Sequence, residues 1–214
     1  MLTALWIVFV VVAGLDLWAK AAPHPRLERV VKPGAMLVLL LIAALSPAGG
    51  SGLRWLLLAA LVASLAGDVF LLSDAPNAFV AGLGFFLVSH LLYAVLFVAL
   101  GLAAPLWAGL AALILVGVLV AARPIVRGAR SSGGGVLGGA VTAYMLVIAA
   151  MAVLGWGTGA VLVGLGASAF VVSDTILGWD RFVTAKRWGG VAVMATYLGA
   201  QALLVLGVLG RLTP

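Results

Sequence analysis

The sequence predicts an all-α, polytopic membrane protein: a bundle of eight transmembrane helices, with residues 1–214 forming a single integral membrane domain. Of the 214 residues, 65% are hydrophobic and only 8% are charged, whereas soluble domains carry about 25% charged residues. Apolar runs recur along the whole chain, and most are close to the roughly 20 residues that cross a bilayer as a helix. Basic residues cluster in alternate segments between these runs, as they do in loops that face the cytoplasm.

The predicted spans are separated by short segments rich in Pro, Gly and Ser, such as residues 46–52 and 130–135. The second span begins at Pro33, because proline is favoured in the first turn of a helix. The first span has no basic residue before Lys20 and so lacks the basic region of a signal peptide; we expect it to be retained. The predicted helices cover residues 2–19, 33–48, 53–72, 78–100, 104–122, 135–155, 158–178 and 188–210.

The basic residues orient this bundle. Of the twelve Lys and Arg residues, ten fall in odd-numbered loops, and only Arg54 and Arg211 lie on the other side. Because such loops stay in the cytoplasm, both termini are expected outside it, and the Ala, Gly, Val and Leu bias indicates a bacterial inner membrane. The net charge of +6 then reflects loops that face anionic lipid, not a nucleic-acid partner. The ten residues are Lys20, Arg26, Arg29, Lys32, Arg123, Arg127, Arg130, Arg181, Lys186 and Arg187.

Two aspartates interrupt the apolar sequence, Asp68 in the third span and Asp174 in the seventh. A carboxylate at mid-helix costs about 2.5–3.5 kcal/mol on insertion, so it is seldom there without a function. Each begins a D-x-x-L-x-x-D pattern that ends at Asp74 or Asp180, in segments expected to be solvated loops. Each also lies about four residues before the predicted cytoplasmic end of its helix. The third and seventh spans hold equal places in successive groups of four, which suggests a four-plus-four tandem repeat with a site at its interface.

Two carboxylates held close together cannot both ionise easily, so the pair can keep one proton and supply an acid and a base at neutral pH. This arrangement suits hydrolysis that needs neither a metal nor a nucleophile. A metal bound by Asp68, Asp174 and His90 is conceivable, but the chain has no H-E-x-x-H or similar cluster. We therefore expect no metal and no cofactor. The chain also contains no cysteine, which excludes thiol catalysis.

Further polar residues lie on the span after each acidic helix. His90 and Tyr93 are three residues apart, and Tyr197 and Gln201 are four apart, so each pair lies on one helix face. Both faces are expected to point to the interior, where the side chains either line a substrate pocket or form ordinary helix contacts.

Residues next to the acids and at the first loop complete the set of candidates. Ser173 directly precedes Asp174 and is grouped with the substrate-binding candidates. Lys32, at the cytoplasmic start of the second span, either adds to the positive-inside charge or binds a lipid phosphate. Asp16 lies four residues before Lys20, a spacing that predicts a salt bridge between them.

In order and spacing, these motifs resemble the YhhN-like family of multi-pass membrane proteins. The matching motifs are S-x-x-G-D-x-x-L-L at 64–72, F-x-x-G-x-x-x-F-x-x-x-H-x-x-Y at 79–93, S-D-x-x-L at 173–177 and Y-x-x-x-Q at 197–201. Characterised members of that family are lysoplasmalogenases, which hydrolyse the vinyl ether bond of lysoplasmalogens. The resemblance implies that Asp68 and Asp174 are the essential acids. The supporting residues that it implies are Lys32, His90, Tyr93, Tyr197 and Gln201.

The sequence-based expectation is therefore an intramembrane ether hydrolase that releases a fatty aldehyde and a glycerophospho-head group, with a lysophospholipid and membrane lipids as its partners. The vinyl ether is favoured over an ester because ester hydrolysis usually needs an activated nucleophile, and no G-x-S-x-G elbow is present. The alternative is a proton-coupled transporter or lipid-binding protein in which the same acids form a proton relay. The placement of both acids near one face counts against alternating access.

Overall fold

A computed structural model describes residues 1–22, 24–47, 52–73, 75 and 77–212. The described residues form eight α-helices, so the predicted all-α class is confirmed. Asp74 lies outside the described residues. The helices are α1 (Leu2–Ala21), α2 (Pro25–Leu45), α3 (Gly52–Leu71), α4 (Ala78–Leu100), α5 (Pro105–Ala121), α6 (Arg123–Gly157), α7 (Val161–Phe182) and α8 (Gly189–Leu212).

Six of the described helices, namely α1, α3, α4, α6, α7 and α8, are long and apolar enough to cross a membrane. The chain is therefore an integral membrane protein. Helix α5 is apolar but has only 17 residues, the lower end of the range for a transmembrane helix. Helix α2 carries four charged residues in its first eight positions. Eight helices are compatible with eight spans, and the count of eight stays a prediction.

The predicted start of the second helix at Pro33 is wrong, because α2 begins at Pro25 and Pro33 lies inside it. Pro25 occupies the first turn, where its fixed φ suits a helix and its missing N–H costs nothing. Glu28 lies in that first turn, where a negative charge interacts favourably with the helix dipole, and it forms a salt bridge with Lys20 of α1. Lys32 is consequently a buried residue within a helix and not part of a loop.

Helix α6 also begins earlier than predicted. Its helical hydrogen bonding starts at Arg123 and is broken by non-helical backbone at Gly133 and Gly134. The φ of Gly134 is 69°, a conformation that glycine adopts without the steric cost other residues have. The three arginines assigned to the fifth loop, Arg123, Arg127 and Arg130, therefore lie on a short helical segment before this break.

Helix α7 is longer than predicted and continues to Phe182. Asp180 therefore lies on the helix and not in a loop. Asp174 precedes the end of α7 by eight positions, whereas Asp68 precedes Leu71, the end of α3, by three. The expectation that both acids are equally distant from their helix ends is wrong, because the polar sequence after residue 178 continues the helix.

The packing of the helices divides the chain into two halves. Consecutive helices pack together within α1–α4 and again within α5–α8. The main contacts between the halves all involve α4 or α8: α4 packs on α6, and α8 packs on α1, α2 and α3. Each half thus places its fourth helix against the other half. This is the arrangement that a four-plus-four repeat would produce, although the repeat itself stays a prediction.

Glycines allow the acid-bearing helices to approach their neighbours closely. A Cβ on Gly67, next to Asp68, would lie 2.8 Å from the Phe86 ring and 3.2 Å from the Gly82 carbonyl of α4. A Cβ on Gly166 of α7 would lie 3.0 Å from the Ala200 carbonyl of α8. Small residues at such contacts let membrane helices pack backbone to backbone, and here they hold α3 against α4 and α7 against α8.

Candidate active site

Asp68 is almost completely buried, with 1% of its surface exposed, and it is contacted by two polar side chains. Its Oδ2 accepts a hydrogen bond of 2.6 Å from the Tyr197 hydroxyl of α8. Its Oδ1 lies 3.2 Å from Nζ of Lys32 in α2. The ammonium compensates the buried carboxylate, since a charge in a low-dielectric interior is tolerated only when it is paired. Asp68, Lys32 and Tyr197 therefore join three helices in one charged group.

Asp174 forms a second polar group in the other half of the protein. The Tyr144 hydroxyl of α6 donates a hydrogen bond to its Oδ2. Nε2 of His90 in α4 lies 3.8 Å from the same oxygen, which is longer than a hydrogen bond. His90 is fully buried, whereas the Asp174 side chain is 12% exposed. Asp174 is thus the acid that reaches a surface.

The two groups are built in the same way. Each aspartate lies on the third helix of its half and is contacted from the second helix of that half, by Lys32 or by Tyr144. Each is also approached from the fourth helix of the opposite half, by Tyr197 or by His90. This exchange of the fourth helices brings together acids that are 106 positions apart in sequence (174 minus 68).

Phe170 lies between the two groups. Its ring packs edge-to-face against His90 at 4.8 Å and against Tyr197 at 5.6 Å, measured between ring centroids. Phe170 is fully buried. The ring therefore joins the residues that contact the two acids, His90 beside Asp174 and Tyr197 beside Asp68.

Tyr93 and Gln201 belong to a hydrogen-bonded chain within the bundle. The Tyr93 hydroxyl donates to Oε1 of Gln201 at 2.6 Å, and Nε2 of Gln201 donates to Oγ of Ser64 at 2.8 Å. The chain continues over 2.7 Å to Ser89, whose hydroxyl donates to the Ala60 carbonyl at 2.9 Å. Because that carbonyl ends the chain, each hydroxyl has one defined acceptor. Buried polar groups satisfied in this way rigidify a core.

Ser173 is directed away from both groups. Its hydroxyl donates to the backbone carbonyl of Val193 in α8 at 3.1 Å, so its observed contact links α7 to α8. No cluster of three or more His, Cys, Asp or Glu side chains suited to a metal ion occurs among the residues that the structure describes.

An apolar cleft opens beside Asp174. The cleft is narrow, with a cavity volume of about 40 Å³. Tyr144, Asp174 and Thr175 are the polar residues of its wall, and the remainder is almost entirely aliphatic or aromatic. The cleft lies between α4, α5, α6 and α7. A carboxyl group at the wall of an apolar cleft is placed to act on a lipid-like molecule.

A second, charged cleft lies next to the first. Its cavity volume is about 300 Å³, and its wall carries the basic residues Lys20, Lys32 and Arg181 and the acidic residues Glu28 and Asp180. Phe79 and Leu177 line both clefts, and the Arg181 guanidinium lies over the Phe79 ring at 4.7 Å. The two clefts therefore adjoin, with charge on one side of Phe79 and hydrocarbon on the other.

The predicted salt bridge between Asp16 and Lys20 is wrong. Lys20 pairs with Glu28 of α2, because the earlier start of α2 places that carboxylate beside it. Asp16 is fully buried, and neither of its carboxylate oxygens has a hydrogen-bond partner among the described residues.

Tyr144, Ser89 and Phe170 are site residues that sequence reasoning missed. Tyr144 is one of three tyrosines in the chain, and each of the three donates its hydroxyl to a buried or partly buried side chain. The rarity of tyrosine in an apolar chain was the available signal, since a buried phenol needs a hydrogen-bond partner. Ser89 and Phe170 carry no comparable signal, as both are ordinary in membrane helices.

The fold and the site define a polytopic membrane protein with one acid in each half of its helix bundle. The chain belongs to the YhhN family, whose family model matches residues 27–208. It is 35% identical over 170 residues to lysoplasmalogenase TMEM86B of Homo sapiens. The aligned region covers 79% of this chain and 70% of the relative. It is 34% identical over 196 residues to lysoplasmalogenase TMEM86B of Mus musculus, covering 90% and 80% respectively. No solved structure gives a significant match.

Proposed function

We propose that the chain is a lysoplasmalogenase, which hydrolyses the vinyl ether bond of a lysoplasmalogen to a fatty aldehyde and a glycerophospho-head group. The observation that carries the proposal is the position of Asp174, whose carboxyl group lines an apolar cleft that adjoins a charged one. The relatives named lysoplasmalogenase support the same activity.

The two clefts match the two parts of such a substrate. A lysoplasmalogen has one hydrocarbon chain and a phosphate head group, joined near the vinyl ether. The phosphate is assigned to the charged cleft, where Arg181 supplies positive charge beside Lys20, which is paired with Glu28, and Lys32, which is paired with Asp68. The chain fits the apolar cleft on the other side of Phe79. The bond between head and chain then lies near Asp174.

Asp174 is the proposed general acid. Its proton adds to the β-carbon of the vinyl ether, where the π electrons form the new C–H bond and leave an oxocarbenium ion at the α-carbon and the ether oxygen. The Asp174 carboxylate then stabilises this cation and takes a proton from the water that adds to the α-carbon. This step regenerates the acid and forms a hemiacetal. Collapse of the hemiacetal breaks the remaining C–O bond and releases the aldehyde and the alcohol of the head group.

Asp68 is proposed as the ionised member of the pair. It is held by Lys32 and Tyr197 and lines neither cleft. Its ionised carboxylate therefore acts on the cationic intermediate only at a distance, with an effect that the adjacent Lys32 ammonium reduces. Tyr144 and His90 are positioning residues for Asp174, the first through a hydrogen bond and the second through close packing. The pair of acids thus divides into one that transfers the proton and one that supports the charge.

The test uses purified protein and three lysolipids with the same chain and head group, joined by an ester, an alkyl ether or a vinyl ether. We expect aldehyde release from the vinyl ether alone. Asp174→Asn should lower kcat by about 10²–10⁴-fold, the usual contribution of a general acid, whereas Ser132→Ala, at an exposed position on α6, should not. Ester turnover with the vinyl ether untouched would contradict the proposal. Proton-dependent uptake into proteoliposomes without aldehyde would favour a transporter.

A further inference from the structure

The apolar cleft beside Asp174 continues along α5. A further apolar cleft, with a cavity volume of about 270 Å³, shares Leu115, Val118 and Val171 with it. Together they extend from Leu119, near Asp174, to Trp107 at the start of α5. The twelve positions between those residues correspond to about 18 Å at 1.5 Å per residue. One leaflet of a bilayer has a hydrocarbon depth of about 15 Å, so the combined cleft is as long as one lipid chain.

The space exists because α5 packs mainly on α6. The two other helices that line the continuous cleft along its length, α6 and α7, are in contact with each other, while α5 leaves a gap to α7. Leu110 and Ile114 line this gap and are themselves exposed, so the gap is open along α5. A hydrocarbon chain can therefore enter sideways from the membrane.

Two stacked indole rings lie at the end of the combined cleft that is farther from Asp174. The rings of Trp107 and Trp156 lie 5.8 Å apart, with an angle of 26° between their planes. Nε1 of Trp156 donates a hydrogen bond of 3.0 Å to Oγ of Ser168. A Cβ on Gly164 would lie 2.5 Å from the Trp156 ring, so the glycine leaves the room in which that ring lies against α7. Trp156 is thus fixed in orientation from two positions on α7.

We propose that the cleft along α5, from Asp174 to the Trp107–Trp156 pair, binds the single hydrocarbon chain of the lysolipid, and that the tryptophan pair sets the longest chain accepted. The inference rests on the proposed function, since Asp174 must act at the head-group end of the chain. It makes Trp107, Trp156 and Leu115 specificity-determining residues. They contact the hydrocarbon chain of the substrate, whereas Asp174 contacts the vinyl ether that reacts.

The experiment measures kcat/KM for vinyl-ether lysolipids of short, intermediate and long chain. Leu115→Trp fills the middle of the cleft, and we expect it to lower the long-to-short ratio by at least about tenfold, because a single methylene in an apolar pocket changes kcat/KM by about 10–200-fold. Trp156→Ala opens the far end and should raise the same ratio. Leu113→Trp is the matched control, since Leu113 is on α5 but faces outward and is 71% exposed.

The outcomes separate this inference from the proposed function. If the wild-type protein hydrolyses no vinyl ether of any length, the proposed function fails. If it is active and both Leu115→Trp and Trp156→Ala keep the wild-type chain-length ratio, the chain site is refuted while the activity stands, and the tryptophans only anchor the helices at the interface. If Leu115→Trp is inactive on every chain length, Trp156→Ala decides the question. A preference shifted to longer chains supports the chain site, and an unchanged preference refutes it.

Discussion

Nζ of Lys32 lies 3.2 Å from Oδ1 of Asp68, and both side chains are almost fully buried. This ion pair links α2 to α3, two helices that do not line the apolar cleft. Lys32 also lines the charged cleft. It therefore connects the surface proposed to bind the head group with an acid that no substrate reaches.

Removal of the ammonium group should destabilise the protein. Breaking a buried ion pair by deleting one partner costs about 3–5 kcal/mol, because it leaves an uncompensated charge. We expect Lys32→Met to lower the free energy of unfolding in detergent by that amount. Adding Asp68→Leu to Lys32→Met should restore most of the stability but no activity. Lys186→Met is the control, because Lys186 is exposed and lies over the Trp188 ring; equal stability of both single variants would refute the prediction.

Loss of the Tyr144 hydroxyl should affect turnover. Tyr144 donates a hydrogen bond to Asp174, which becomes a charged acceptor when Asp174 gives up its proton, and bonds to charged groups contribute about 1.5–3 kcal/mol. We expect Tyr144→Phe to lower kcat by about 10–100-fold with little change in KM. Tyr93→Phe removes the same atom from the hydrogen-bonded chain at Gln201, and its main effect should be on the free energy of unfolding, about 1–3 kcal/mol. A stability loss without a kcat change in Tyr144→Phe would show a merely structural hydroxyl.

The extent of the helices could be predicted where apolar length alone determines it. Helix α4 matches its predicted range of 78–100, because the membrane requires a run of about that length. The start of α2 and the end of α7 could not be placed, since polar residues outside the hydrocarbon region continue those helices. Hydropathy carries no information about where a helix ends in water.

The residues of the site were easier to predict than their partners. Asp68 and Asp174 stand out because buried carboxylates are costly, and Lys32, His90 and Tyr197 stand near them in the structure. That Tyr197 contacts Asp68 and His90 approaches Asp174 depends on the exchange of α8 and α4 between the halves. Such an exchange is decided by the packing of whole helices and leaves no local pattern in sequence.

Asp16 should be a site where stability can be gained. Its carboxylate is fully buried without a hydrogen-bond partner among the described residues, and Lys32 attracts it only electrostatically. A buried polar group left without a partner costs about 1–3 kcal/mol. We therefore expect Asp16→Leu to raise the melting temperature in detergent, and Asp16→Asn to raise it less because its amide stays polar. A lower melting temperature for Asp16→Leu would mean that its attraction to Lys32 outweighs the desolvation.

The remaining prediction concerns the two helices whose crossing of the membrane is untested. Helix α5 and the first, basic segment of α6 lie between Leu102 and Ser131, and α2 lies between His24 and Pro47. All four residues are exposed. Gly128 is a poor choice for such labelling, because a Cβ there would lie 1.9 Å from the Phe182 carbonyl oxygen.

If α2 and α5 both span the bilayer of a bacterial inner membrane, each pair of positions lies on opposite sides of it. The chain has no native cysteine, so single cysteines at these four positions can be labelled cleanly with a membrane-impermeant thiol reagent. We expect labelling from outside the cell at Leu102→Cys and Pro47→Cys, and only after lysis at Ser131→Cys and His24→Cys, because the basic segments stay in the cytoplasm. Labelling of both members of a pair from one side would mean that the helix between them does not cross. The bundle would then have fewer than eight spans, and a reversed pattern in both pairs would place the termini in the cytoplasm.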